Sequence, residues 1–326
     1  MADLIYRPAT WDDLDSFYAL YGSEQIESYG SFGMTREECA AEWGLPGFDL
    51  SQHTQYAFTP EGEMVAFAEL RVWRDLPVRP FIYAYVHPDY RGQGIGTRLT
   101  QWGIAQAAIF LPQVPQEARV VLGAFSNRRD GQGLLEHLGF RCTRQSHNMG
   151  IDLHEGLPQP VFPPGFRLLT MAEHPVLEDF VRVYQATFMD HRGAVEEPLE
   201  AAVARWECFL ASGRYHPEHI VLLKDGETDA AVMFLAERAE SDPDEAWVQT
   251  IGTMPEYRRR GLASQLLYLA FQWGRQMGKA RVGLSVDASS LTGANQLYAS
   301  VGMTVDMVYN AYELELRPGI ELTKQA

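Results

Sequence analysis

The chain repeats itself, and no other feature limits its architecture as tightly. Pro88-Asp-Tyr-Arg-Gly-Gln-Gly94 aligns with Pro255-Glu-Tyr-Arg-Arg-Arg-Gly261 at an offset of 167. Ala118-Arg-Val120 aligns with Ala280-Arg-Val282 at 162, and Leu138-Gly-Phe140 with Val301-Gly-Met303 at 163. Near the starts, Tyr6-Arg7 followed by Thr10 echoes Phe166-Arg167 followed by Thr170 at 160. Four matches in one order, with offsets drifting by a few residues, are what two copies of one domain separated by loop insertions produce. The length of 326 residues suits two domains, at roughly 100–200 residues each. Between the copies, Leu153–Gly165 carries four prolines. Each fixes φ and removes a backbone donor, so the segment reads as an extended linker. The expected division is therefore 1–152, a linker at 153–165, and 166–326, with the break near residue 155.

Charge narrows the partners. Lys+Arg is 27 against Asp+Glu 43, a formal net charge of −16. Such a field repels nucleic-acid phosphates and anionic membrane surfaces, so neither is an expected partner. Cys39, Cys142 and Cys208 lie far apart with no CxxC pair, which argues against a disulfide framework or thiolate zinc site and for a reducing compartment. The N-terminus, MADLIYRPATWDD, is acidic from the start and has no basic flank or apolar core of a signal peptide. No apolar stretch reaches the roughly 18 residues of a membrane span. The expectation is a cytoplasmic protein.

Each copy reads as α+β with a mixed sheet. In the first, Glu63–Trp73, Phe81–Val86 and Arg119–Phe125 have strand composition, and Ile95, Leu99, Trp102, Ala105 and Ile109 follow helical spacing. The second repeats this with strands at Ala230–Leu235, Ala246–Ile251 and Arg281–Val286 and a helix over Leu262–Met277. The strand pairs expected to diverge are Phe81–Val86 with Arg119–Phe125, and Ala246–Ile251 with Arg281–Val286.

The chemistry lies at the strand–turn–helix junction. A strand runs into Arg91-x-x-Gly94-x-Gly96 in copy one and Arg258-x-x-Gly261-x-Ala263 in copy two. Small residues let the backbone approach a ligand, and free N–H groups at a helix start favour a phosphate. A dinucleotide fingerprint fails, because Thr97 stands where a third glycine would complete it. A Walker loop fails for want of a lysine after either turn.

The V-x-P-x-Y-R-x-x-G-x-G/A turn resembles motif A of the GNAT superfamily of acyl-CoA-dependent N-acyltransferases. It is carried by Val86-His-Pro-Asp-Tyr-Arg-Gly-Gln-Gly-Ile-Gly96 and Thr253-Met-Pro-Glu-Tyr-Arg-Arg-Arg-Gly-Leu-Ala263. Ala294-Asn-Gln-Leu-Tyr-Ala-Ser-Val-Gly-Met303 resembles the family's motif B. Two such domains in tandem are similar to the mycothiol-synthase-like architecture. The resemblance implies that each turn binds the CoA pyrophosphate and that a bulge in the preceding strand splays it to seat the pantetheine and thioester. It implies acetyl-CoA as donor, a primary amine of a small molecule as acceptor, and no metal. The implied CoA-binding residues are Tyr85, Val86, Arg91, Gly92, Gly94, Gly96, Thr97 and Asn127 in copy one. In copy two they are Gly252, Thr253, Met254, Arg258, Arg259, Arg260, Gly261, Ala263 and Ser264. By this reading both copies bind CoA.

The copies differ at one decisive position. Tyr298 stands four residues before Gly302, where the family keeps the tyrosine that protonates the leaving thiolate; the matching position before Gly139 is Leu135. Copy two is thus expected to be catalytic, and copy one to have kept the cradle and lost the acid. The rival reading is a non-catalytic acyl-CoA-binding or sensing module, which Leu135 allows in copy one. No carboxylate marks itself as general base; Glu237, Glu245 and Asp287 read as solvated strand-end residues. The oxyanion is assigned to backbone N–H near Gly252 and Thr253. His53, His87, His216 and His219 lack metal-ligand spacing. Trp11, Trp43, Trp73 and Trp206 read as packing residues rather than an acceptor pocket.

Overall fold

The computed structural model describes residues 3–72, 76–189, 197–288 and 293–322. The chain forms two compact units, one of residues 1–145 with 309–322, the other of residues 146–308.

The first unit holds β1 (Ile5–Arg7), α1 (Leu14–Tyr29), α2 (Arg36–Trp43), α3 (Leu50–His53), β2 (Thr54–Phe58), β3 (Met64–Arg71), β4 (Phe81–Val86), α4 (Ile95–Ile109), β5 (Val120–Ser126) and α5 (Arg129–His137). The strand β6 (Arg141–Asp152) begins in it and ends in the second unit. The second unit continues with β7 (Phe166–Thr170), α6 (Leu177–Phe188), α7 (Leu199–Ala211), β8 (Tyr215–Asp225), β9 (Thr228–Ala236), β10 (Glu245–Thr253), α8 (Leu262–Gln276), β11 (Arg281–Asp287) and α9 (Ala294–Ser300). The last strand, β12 (Thr304–Arg317), starts in the second unit and ends in the first.

Strand pairing within each unit is mixed and mainly antiparallel. In the first unit β1–β4 pair antiparallel in turn, β4 meets β5 in parallel, and Asn310–Arg317 of β12 closes the far side of β5. In the second, β7–β10 pair antiparallel, β10 runs parallel to β11, and β6 pairs with β11 from Ser146 to Asp152. Apolar sequence explains the central positions: every residue of β3 is buried, as are Ala230–Ala236 of β9, so both sheet faces need helices. In the first unit α1 and α2 cover one face through Phe17, Trp43 and Phe67, and α4 the other through Ile95 and Leu99. In the second, α6 and α7 pack through Phe180, Trp206 and Phe234, while α8 packs opposite through Leu266, Leu267 and Phe271.

The units part from the simple division at 153–165. Ser146–Asp152 goes to the second unit and 309–322 to the first, because each segment supplies a strand that pairs there. Residues 153–165 form no helix or strand, as their prolines dictate. They lie against the second unit, where Leu153, Leu157 and Phe162 pack on the core and the N–H of Val161 donates to Gln265 at 2.7 Å.

Candidate active site

Each unit splits at its parallel strand pair. β10 and β11 are registered only from Glu245–Trp247 against Arg281–Gly283; beyond that Val248–Thr253 and Leu284–Asp287 part. β4 and β5 meet at Phe81 and Gly123 alone. The expected pairs do diverge, and the open end in each unit is the one that leads into the turn.

The turns are built alike. Gly92 and Gly94 have φ of 73° and 83°, and Arg259 and Gly261 have 63° and 76°. Both left-handed positions therefore recur, although Arg259 is not glycine and takes a conformation that costs L side chains roughly 1–2 kcal/mol. A Cβ at Gly92, Gly94 or Gly261 would meet nothing within 4 Å, so these glycines serve backbone shape and leave open space above the turn. The first helical N–H bonds are those of Arg98 to Gly94 and Gln265 to Gly261. The N–H groups ahead of them have no helical acceptor by the geometry of any α-helix. This suits a diphosphate. Thr97 and Ser264 are half-buried in the first turns of α4 and α8, beside Gly96 and Ala263.

The arginines of the turn also bond within the chain. Arg91 Nε donates to Val86 O at 2.9 Å, and Arg258 Nε to Thr253 O at 3.2 Å. Each reaches back five residues and clamps the strand end to the turn. Arg260 lies over the Tyr257 ring at 4.8 Å and donates to Glu256 O.

Side chains around the two turns diverge. In the first unit Glu27, at the end of α1, accepts from Arg91 at 2.8 and 2.6 Å, from Tyr85 at 2.8 Å and from Arg128. These bonds, Arg91's first, hold its carboxyl down at about 2, so it stays ionised. In the second unit the site of Tyr85 is Gly252, where a Cβ would lie 2.2 Å from Thr187 Oγ1. Thr187, at the end of α6, also gives its carbonyl to Arg258 at 3.2 Å. Asn127 is half-buried between β5 and α5, and Met254 packs at the end of β10.

One feature of the cleft is confined to β10. Its register against β9 slips between Val248 and Thr250, leaving Gln249 as an exposed bulge, whereas β4 pairs with β3 without a shift. Its signal is present in the sequence: the residues facing α8 run Ala246, Val248 and then Ile251, a break in the two-residue period. Gly252 and Thr253, assigned above to the oxyanion, lie beyond this bulge and pair regularly with Val232 and Ala231.

Tyr298 and Leu135 occupy matching places. Gly302 and Gly139 have φ of 96° and 89°, and both helix ends close with the same bond, from Met303 N to Tyr298 O and from Phe140 N to Leu135 O, each 3.0 Å. Both side chains are buried. Burial pushes the Tyr298 phenol up to about 12, so it holds its proton at neutral pH. Its helix follows the open end of β11.

The three carboxylates considered as bases are placed differently. Asp287 ends β11 at the open end. Glu237 accepts from His216 at 2.8 Å, which with Lys279 holds its carboxyl low, at the closed end of the sheet. Glu245, also at the closed end, is not solvated: it is 9% exposed, and burial pushes its carboxyl up to about 7 despite Arg281 at 3.5 Å.

Trp43 and Trp206 are core residues and Trp11 is exposed; Trp73 lies outside the described residues. Among the described residues, no cluster of three or more His, Cys, Asp or Glu is placed to hold a metal. No helix among them is long and apolar enough to cross a membrane.

The acetyltransferase (GNAT) family profile matches residues 177–303, and a GNAT domain profile matches 52–142. A mycothiol acetyltransferase of Thermobispora bispora is 30% identical over 229 residues, 69% of this chain and 73% of that protein. The crystal structure of a GCN5-related N-acetyltransferase from Sphaerobacter thermophilus is 30% identical, covers 98% of both chains and has a TM-score of 0.77. A tandem GNAT protein from the clavulanic acid biosynthesis pathway, 13% identical over 98% of this chain and all of that one, shares the fold at a TM-score of 0.69. GNAT proteins use acetyl-CoA as co-substrate, and with two GNAT domains carrying their turns, split strands and motif-B helices, this chain belongs to the GNAT family as an N-acetyltransferase.

Proposed function

We propose that the second unit transfers an acetyl group from acetyl-CoA to the primary amine of a small molecule by direct attack. The observation that carries this is the company Tyr298 keeps: a split parallel pair, a bulged β10 and an open left-handed turn, all in one unit. The first unit has a split and a turn but an unbulged β4 and Leu135.

The backbone N–H groups of Arg259–Ser264 would hold the CoA diphosphate, and the gap between β10 and β11 would admit the acyl arm. The acceptor nitrogen attacks the thioester carbonyl carbon, a C–N bond forms, and the resulting oxyanion needs donors from the strand edge. Collapse breaks the C–S bond, and the sulfur takes the Tyr298 hydroxyl proton as it leaves. The proton lost by the amine regenerates the phenol through solvent. A phenol held neutral by burial is in the right state to give that proton.

The curated relative is a mycothiol acetyltransferase, so amines on small thiol- or sugar-bearing molecules head the acceptors to test. The test is thiol release from acetyl-CoA across a panel of amines. Acceptor-dependent release that Gly261→Trp abolishes supports the reading. CoA binding without release for any amine favours the sensing module instead.

A further inference from the structure

We propose that Glu27 laces the first unit's cleft shut, so that the chain takes a single acyl-CoA, in the second unit. This rests on the reading that the second unit is the acyl-CoA site.

Arg91 follows β4 and Arg128 follows β5, so the two stand on opposite sides of the split. One carboxylate joins them. Glu27 takes both terminal nitrogens of Arg91, one of Arg128, and the Tyr85 hydroxyl from the edge of the split itself. Arg128 is braced in turn by Asp130 at 2.9 and 3.1 Å. An acyl arm entering between β4 and β5 must displace this bridge, and a diphosphate approaching the turn meets arginines already neutralised by a carboxylate. Charge-assisted, partly bidentate bonds of this kind are the strong class.

The sequence of the second unit does not repeat the residues that form the lacing. Thr187 stands at the end of α6 where Glu27 stands at the end of α1, at the 160-residue offset that relates the copies' first strands. Gly252 replaces Tyr85, and 288–294, which follows β11 as Asn127–Arg128 follows β5, contains no Lys or Arg. Thr187 accepts from Arg258 through a backbone carbonyl, whereas Glu27 accepts from Arg91 through a carboxylate.

Titration calorimetry with CoA tests this on the full chain, with melting temperature as the check on folding. Wild type should bind one CoA, lost on Gly261→Trp and kept on Gly94→Trp. Glu27→Ala should gain a second site, which Gly94→Trp then removes. Should Glu27→Ala not fold, Arg128→Gln removes the rung across the split, along with the Asp130 brace, while leaving Arg91 and Tyr85 on Glu27, and should gain the same site. Two sites in wild type, or one site that Gly94→Trp abolishes, would overturn the lock, as would a folded Glu27→Ala with no second site. No binding in wild type but one site in Glu27→Ala would leave the lock standing and defeat the reading of the second unit.

Discussion

Glu245 is the residue whose sequence context misleads most. At a strand end in an acidic chain it reads as solvated, yet the packing of Trp247 and the backbone of Gly283 around it removes its water. Its folded pKa of about 7 lies above the ordinary 4.5, so the native state holds this proton more tightly than the unfolded chain. Stability is then greatest below the ordinary value and falls as pH rises from about 4.5 to about 7. The loss is of the order of 3–4 kcal/mol at about 1.4 kcal/mol per unit. Glu245→Gln should flatten that slope when melting is followed from pH 5 to 8; an unchanged slope would assign it to other groups. Leu135 makes a simpler case. Buried in the core beside Leu122 and Phe140, its change to alanine should cost about 2–5 kcal/mol in denaturant unfolding.

Elements were legible where their residues were local. The turns at 91–96 and 258–263 announce themselves by spacing, and α8 by its apolar face. Glu27 could not be read from sequence, because its partners stand 64 and 101 residues away and only the fold brings them together. The β10 bulge was written in the slip from Ala246 and Val248 to Ile251, a signal easily passed over in a short apolar run. Gly252 reads as a site glycine, but the structure gives it a packing reason as well, the approach of α6. Gly252→Ala should push Thr187 away and loosen the Arg258 clamp, with about 1–3 kcal/mol of overpacking cost. Lower melting together with weaker CoA binding would show that α6 holds the turn in place; wild-type values for both would show that it does not.

At the scale of the molecule, the sequence repeat is blurred by shared strands. β6 and β12 are polar along much of their length, so their pairing escapes composition alone. Residues 309–322 nonetheless close the first unit: Tyr312 is buried in its core, Glu313 pairs with Arg79, and Glu315 and Glu321 pair with Arg119. A chain ending at residue 308 should lose amide protection along β5 in hydrogen exchange while β9 stays protected. Equal protection in both would mean that the first unit closes without its last strand.

The proposed assignment of catalysis to the second unit turns on Tyr298. Thiol release from acetyl-CoA, at saturating donor and with chemistry rate-limiting, compares wild type, Tyr298→Phe and Leu135→Ala directly. Loss of a general acid is typically about 10²–10⁴-fold, and thiolates leave well enough unaided to favour the lower end. Tyr298→Phe should therefore lower kcat by about 10²-fold with CoA affinity kept, while folded Leu135→Ala turns over at the wild-type rate. Wild-type kcat in Tyr298→Phe would contradict the account.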